Sequence, residues 1–291
     1  MSETGDTTQG WPSAVGAVAR LRESPVAMVG AGLVVFWVLV ALAAPLIAPF
    51  DPLATLQPFA KPGAVHAESG RTFWLGTDHI GRDILSRIVW GTRTILIYAP
   101  LATASAYLVG IAMGLVAGYR LGWWDAILSR ISDIVLSFPV LVLYILIIAT
   151  IGASGLNIVI AITFASAPGI MRIVRGLVLD LRTRDYVAAA RTRGESALYI
   201  MVVEILPNAR GPLIVDACLR LGYVIITIGV LGFLGLGLPP PDPDWGGMIN
   251  ETRRMALAFP HMTVFPCLAI SSLILGFNLL ADGLRDISLR D

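Results

Sequence analysis

Charge is scarce in this chain. Only 14% of its 291 residues are Asp, Glu, Lys or Arg, and 56% are hydrophobic. A soluble domain carries about 25% charge and under about half apolar residues. So few charges cannot cover a water-soluble globule of this size, and the mean hydropathy of +0.77 agrees. The formal net charge is +1 with no basic block, so nothing suggests a nucleic-acid partner. Cysteine is nearly absent: Cys218 and Cys267 stand in apolar stretches without a CxxC, and they read as small core residues that identify no redox compartment. His66, His79 and His261 are too far apart for metal-ligand spacing. GxSxG, HExxH, paired aspartates at span centres and a phosphate-cradling GxxxxGK are all missing. No catalytic residue, metal or cofactor is therefore expected on the chain, and any ATP used would bind elsewhere.

Long uncharged runs are what the sequence has in abundance. A helical crossing takes about 20 apolar residues. Val26–Phe50, Thr94–Tyr119, Ile134–Met171, Leu221–Pro241 and Met255–Ala281 contain no Asp, Glu, Lys or Arg. The third run is too long for one helix, and the turn chemistry of Gly152-Ala153-Ser154-Gly155 splits it into a tight hairpin. Six transmembrane helices are predicted. The first run begins too late and is too long for a cleaved signal. With the N-terminus inside, fourteen of the 21 Lys and Arg residues fall on inner segments and seven on outer ones. Inner flanks are enriched in these residues, so both termini are expected in the cytoplasm.

The predicted organisation has three parts: 1–50, a cytoplasmic N-terminal segment and the first span; 51–93, an external segment; and 94–291, a five-helix core with a cytoplasmic loop at 180–212. In the external segment Ile80, Ile84, Leu85, Ile88 and Val89 share a helical face opposite Arg82, Asp83 and Arg87. That pattern predicts an interfacial helix leading into span two, with Asp78, Arg82 and Asp83 either holding the segment or receiving an external protein. In the loop, Asp185-Tyr186-Val187-Ala188-Ala189-Ala190-Arg191-Thr192-Arg193-Gly194 is followed by Leu206-Pro207. Small residues and a glycine that takes positive φ at little cost predict two short helices meeting at an elbow. Thr183 or Asp185 is expected to cap the first, Glu195 or Ser196 to start the second, and Pro207 to break it. A docking element and a basic loop that merely obeys the topology rule both fit. Gly229, Gly232, Gly235 and Gly237 thin one side of span five for close helix approach, within this chain or against a partner. Asp216 and Arg220 are spaced to pair near the inner boundary.

At these residues the chain resembles the inner-membrane permeases of ABC importers. Their cytoplasmic loop carries Glu-Ala-Ala, three residues, Gly and later Leu-Pro; here Ala188-Ala189-Ala190, Gly194 and Leu206-Pro207 hold that spacing, with Ala188 in place of the glutamate. The departure removes one polar contact and shifts weight to Arg191 or Glu195. Leu75-Gly76-Thr77-Asp78 with Gly81-Arg82-Asp83 and Ser86-Arg87 is similar to the C-type permeases of the dipeptide, oligopeptide and nickel branch. So are Arg130, Asp133 and Ser137-Phe138-Pro139; Gly232-Phe233-Leu234-Gly235-Leu236-Gly237 with Pro239-Pro240 and Asp244-Trp245-Gly246; and Phe277-Asn278-Leu279-Leu280 with Asp282-Gly283-Leu284-Arg285-Asp286. Ala281 stands where glycine is usual, and the final Asp-Pro-Arg is absent.

The resemblance implies an all-α polytopic protein of the bacterial inner membrane with the type I importer permease fold. It implies a non-catalytic subunit that works with a second homologous permease, two ATP-binding subunits that hold ATP and Mg, and an external substrate-binding protein. The implied solute is a di- or oligopeptide, with nickel chelates, glutathione and oligosaccharides as alternatives. A polytopic enzyme or scaffold would need reactive groups within the spans, where the chain offers only His261 and scattered hydroxyls. A secondary transporter would leave the elbow without a partner.

Overall fold

A computed structural model describes residues 24–239 and 242–290, with side chains through Arg285. Arg20 and Arg22, which contribute to the inner arginine count, and Pro240 lie outside the described residues. Five helices are long and apolar enough to cross a membrane, and a bent pair supplies a sixth crossing.

Helix α1, Pro25–Leu42, starts where Ser24 accepts from the Ala27 amide and Pro25 takes the first turn. A short turn of helix, α2 (Ala44–Ile47), leads into the outer segment, whose only regular pairing among the described residues is the antiparallel hairpin β1 (Ala64–Val65) and β2 (Thr72–Phe73). Helix α3, Ile84–Arg120, spans 37 residues and is capped by Asp83, which accepts from the Ser86 amide at 2.8 Å. The interfacial helix expected over Ile80–Val89 is therefore not a separate element. Ile80 lies before the cap, and Ile84, Ile88 and Val89 are buried inside the protein within the first turns of α3. Their periodicity records burial against neighbouring helices, which a one-sided apolar pattern does not distinguish from burial in lipid.

The third crossing is broken. Helix α4 (Gly122–Leu136) and α5 (Val140–Ile151) meet at 89°. Pro139, which has no N–H to continue the ladder, stands at the N-cap of α5. At 1.5 Å per residue α5 is about 18 Å long, too short for a hydrocarbon core of about 30 Å; only together do α4 and α5 pass as one span. The hairpin turn falls where expected: Gly152 has φ +91, and Ser154 caps α6 (Gly155–Leu181).

The inner loop folds as α7 (Asp185–Thr192), α8 (Ala197–Tyr199) and a π-helical stretch, Ile200–Ile205, that runs into α9 (Leu206–Phe233). Pro207 does not break this helix. In an α-helix its ring would strike the carbonyl four residues back and its missing N–H would leave one carbonyl unpaired. The wider π turn precedes it, closed by the Leu206 amide on the Met201 carbonyl, and the helix continues. Helix α10 (Trp245–Thr252) lies between α9 and the last span, α11 (His261–Arg290). His261 begins that helix.

Lipid gives helices no hydrophobic reason to associate, so close packing must hold them. In α3, Gly110, Gly114 and Gly118 recur every fourth residue. An added Cβ would stand 2.6 Å from Ile170 Cβ, 2.5 Å from Val174 Cβ and 2.8 Å from Val178 Cβ of α6. These glycines bring the two backbones together while the branched side chains of α6 fill the seam. Helices α1 and α11 meet similarly at Gly30 and Gly276, and the Trp37 indole N–H donates to Ser272 Oγ at 3.0 Å.

Gly114→Leu should force α3 and α6 apart and cost about 1–3 kcal/mol as overpacking, read as a lower thermal unfolding midpoint of the purified protein. Gly176→Ala, with open space around its Cβ position, should leave the midpoint unchanged.

Candidate functional site

The inner elbow is anchored on one side and bare on the other. Val187 and Ala190 are fully buried against Val174, Val178, Ile200 and Ile205. Ala188, Ala189, Thr192 and Leu198 are exposed. Burying every third residue seats α7 on the bundle and leaves a small-residue surface outward. Gly194 sits at φ +80, with nothing near its Cβ position, so backbone conformation and not space makes the position a glycine. Ser196 caps α8 by accepting from the Tyr199 amide at 3.2 Å. The cap position of α7 is Arg184, with no side-chain bond, so neither Thr183 nor Asp185 caps it. The loop's charges are partly engaged within the chain: Arg193 reaches Glu204 at 3.1 Å and Glu195 at 3.7 Å, and Arg191 lies over the Tyr119 ring at 5.2 Å.

At the opposite end of α3, a buried charge cluster ties three segments together. Asp78 takes Arg82 Nε at 2.6 Å and Arg87 Nη1 at 2.8 Å on one carboxylate oxygen. Its other oxygen accepts the Ile80 and Arg82 amides. Both arginines then reach Glu251 of α10, at 2.5 and 3.1 Å. Asp78 and Arg87 are 2% and 5% exposed, so removing one partner would strand a buried charge. Asp83 is also buried, and desolvation pushes its carboxyl above the usual range against the pull of its Ser86 bond. Thus Asp78 and Arg82 belong to one network, while Asp83 performs a different task as the cap.

The glycines of span five face this same assembly. Asp244 is buried and caps α10, accepting the Gly246 and Gly247 amides at 3.1 and 3.2 Å. A Cβ on Gly232 or on Gly237 would strike its carboxylate, and a Cβ on Gly229 meets Ile270 at 3.4 Å. Gly235 has φ +79 just beyond the end of α9. Gly229, Gly232 and Gly237 thus pack within the chain, whereas Gly235 is exposed. Trp245 is fully buried behind them, donating to the Ile88 carbonyl at 3.0 Å and meeting Trp37 edge-on. A cavity of about 280 Å³ remains between Arg82, Arg87, Asp244, Asn250 and Glu251.

Sequence reasoning missed Glu251 and the role of Asp244. Glu251 stands 164 positions from Arg87, and Asp244 reaches the glycines of span five only through the loop that follows them. Asp125 was missed similarly: it grips Arg175 of α6 by two bonds, at 2.6 and 2.7 Å. Asp216 and Arg220 do pair, at 2.7 Å, and Tyr107 of α3 also donates to Asp216. They stand midway along α9, which begins before the uncharged run. Among the described residues no cluster of potential metal ligands occurs.

The elbow stands at one end of a bundle of five to six crossings. Residues 110–291 match the family described as binding-protein-dependent transport system inner membrane component, and residues 15–62 match the N-terminal TM domain of oligopeptide transport permease C. The chain belongs to this family of ABC importer permeases, within the dipeptide and oligopeptide C-type branch. It is 39% identical over 275 residues to the dipeptide transport system permease protein DppC of Alkalihalophilus pseudofirmus, covering 93% of this chain and 87% of that protein. It is 38% identical over 267 residues to the glutathione transport system permease protein GsiD of Escherichia coli O157:H7, covering 92% and 87%. The solved inward facing MetNI methionine ABC transporter shares the fold, with a TM-score of 0.57 at 18% identity, covering 71% of this chain and 97% of that one. The chain is thus a non-catalytic, multi-pass permease subunit of the inner membrane with the type I importer fold.

Burial pushes the Asp244 carboxyl up to about 6. A carboxyl raised on folding binds its proton more tightly in the native state, so its ionisation lowers stability as pH rises from about 4 to about 6. Asp244→Asn keeps an oxygen for the cap without the charge. Its thermal midpoint should fall less than that of the unaltered protein between pH 5 and pH 7, and equal losses in both would contradict this assignment.

Proposed function

We propose that this chain forms half of the translocation path of a peptide importer and converts motion of two ATPase subunits into movement of its spans. The carrying observation is the elbow: α7 is clamped to the bundle by Val187 and Ala190 while Ala188, Ala189 and Gly194 lie bare at its tip. Alanines offer no chemistry of their own but let a groove on another protein come close. Arg191 and Glu195 lie beside that surface, and Leu206-Pro207 closes it through the π stretch.

The second permease would complete the path, the ATPases would hold ATP and Mg, and an external binding protein would deliver the solute to the segment organised by Asp78 and Arg82. That segment and the elbow lie at opposite ends of α3, about 55 Å apart at 1.5 Å per residue. With the arginine asymmetry, this supports both termini and the elbow inside. A relative named for dipeptide transport and another named for glutathione, itself a tripeptide, support a peptide solute. Closure of the ATPases would press the elbow, and the spans would rock between outward and inward openings; the drive is a contact that differs between the two states.

Gly194→Val should insert normally, since the position lies beyond the spans, yet strain the positive φ. Loosened ATPase binding or hydrolysis uncoupled from uptake is expected in the reconstituted complex. Gly194→Asn, which tolerates this conformation, should restore coupling; unchanged binding, hydrolysis and uptake in the valine variant would exclude the elbow as the transmitter. Reporters fused after Gly70 should lie outside, and those after Arg193 or Asp291 inside. Placement of the Gly70 and Arg193 fusions on one side would reject this topology.

A further inference from the structure

An Asp–Arg pair stands partly exposed on α9, one of the apolar helices long enough to cross a membrane. Arg220 lies midway along α9, and Gly169, which it faces, midway along α6. Arg220 Nε donates to Asp216 Oδ2 at 2.7 Å, and the Tyr107 hydroxyl donates to that same oxygen. Among the described residues, Nη1 and Nη2 make no hydrogen bond. Both lie 3.7 Å from the place a Cβ would occupy on Gly169, so the fork rests against α6 with room for a small side chain. The side chains of Arg220 and Asp216 are 26% and 24% exposed; no helix of the described chain closes over them. Asp216, Arg220, Tyr223 and Thr227 recur along one face of α9.

Such a face does not turn to lipid. Charges within membrane spans face a bundle interior or a water-filled cavity. We propose that this face lines the translocation path and that the Arg220 guanidinium receives a carboxylate of the passing solute, with Asp216 and Tyr107 holding it in position. The planar fork matches a carboxylate through two parallel bonds. A peptide carries that group at its C-terminus. Asp216 already offsets the charge, which keeps the contact weak enough for release. The inference rests on the peptide-importer reading for its solute, but the anion site itself does not.

Two measurements on the assembled transporter separate these claims. With Cys218→Ala and Cys267→Ala as background, Gly169→Cys places a thiol beside the guanidinium. In nanodiscs, a sulfonate-bearing methanethiosulfonate should label it at least about threefold faster than a trimethylammonium one, through local charge attraction, and Arg220→Gln should abolish the difference. In proteoliposomes with saturating binding protein, a dipeptide should be taken up faster than its C-terminal amide. That preference should fall to near unity in Arg220→Gln and in the charge-balanced Asp216→Asn/Arg220→Gln variant. No labelling of the Gly169→Cys thiol, a label preference insensitive to Arg220, or an acid-over-amide preference unchanged in the variants would overturn the proposal. Charge-selective labelling in a transporter that moves neither peptide would support the anion site and reject the peptide reading.

Discussion

The seam between α3 and α6 is the contact on which the bundle depends. Gly110, Gly114 and Gly118 remove every obstruction from one side, and Ile170, Val174 and Val178 supply a stiff, branched surface on the other. In lipid, where exposing an apolar side chain costs nothing, such close approach is how two helices prefer each other to their solvent. The seam's position matters as much as its strength. It runs toward the cytoplasmic end, where Val174 and Val178 also form the floor under Val187 and Ala190. The elbow therefore rests on the most tightly packed pair of helices, and a push on it reaches both.

Charges obey the complementary rule. Several of those described within or beside the spans are paired: Asp78 with Arg82 and Arg87, Asp125 with Arg175, Asp216 with Arg220. The outer cluster does more than neutralise. It joins the outer segment, the start of α3 and α10, so the residues before span two and those between spans five and six form one block. Asp244 and Trp245 extend that block downward, the first filling the space left by Gly232 and Gly237, the second wedged between Ile88 and Trp37. Its wall of mixed charge contrasts with the exposed apolar surface of α1, where Leu42 and Leu39 face outward.

Much of this was legible in the chain. Uncharged runs placed the crossings because a bilayer excludes unpaired charge over a set length. Turn chemistry placed the hairpin at Gly152–Ser154, and Gly194 marked the elbow because a sharp reversal outside the bilayer needs a positive φ. Periodicity misled at Ile80–Val89, since an apolar stripe records burial without saying against what. Pro207 misled because its breaking effect assumes an α-helical turn before it, and the π stretch Ile200–Ile205 removes that condition.

The sequence by itself determined the class of protein, the crossings and the elbow, since each follows from local composition: apolar length, helix-breaking residues, the left-handed freedom of glycine. Tertiary structure alone decided what each glycine and charge is for. Gly232 is equally suited by composition to a partner permease or to this chain, and only the arrival of Asp244 beside it settles the matter. Arg87 and Glu251 are 164 positions apart, and no local rule joins them. Arg220 was legible as half of a pair, whereas the Tyr107 hydroxyl that joins the pair became visible only when α3 packed beside α9. Pairing within a helix turn is a local property; exposure, burial and the sharing of a charge between distant segments are set by how helices cross.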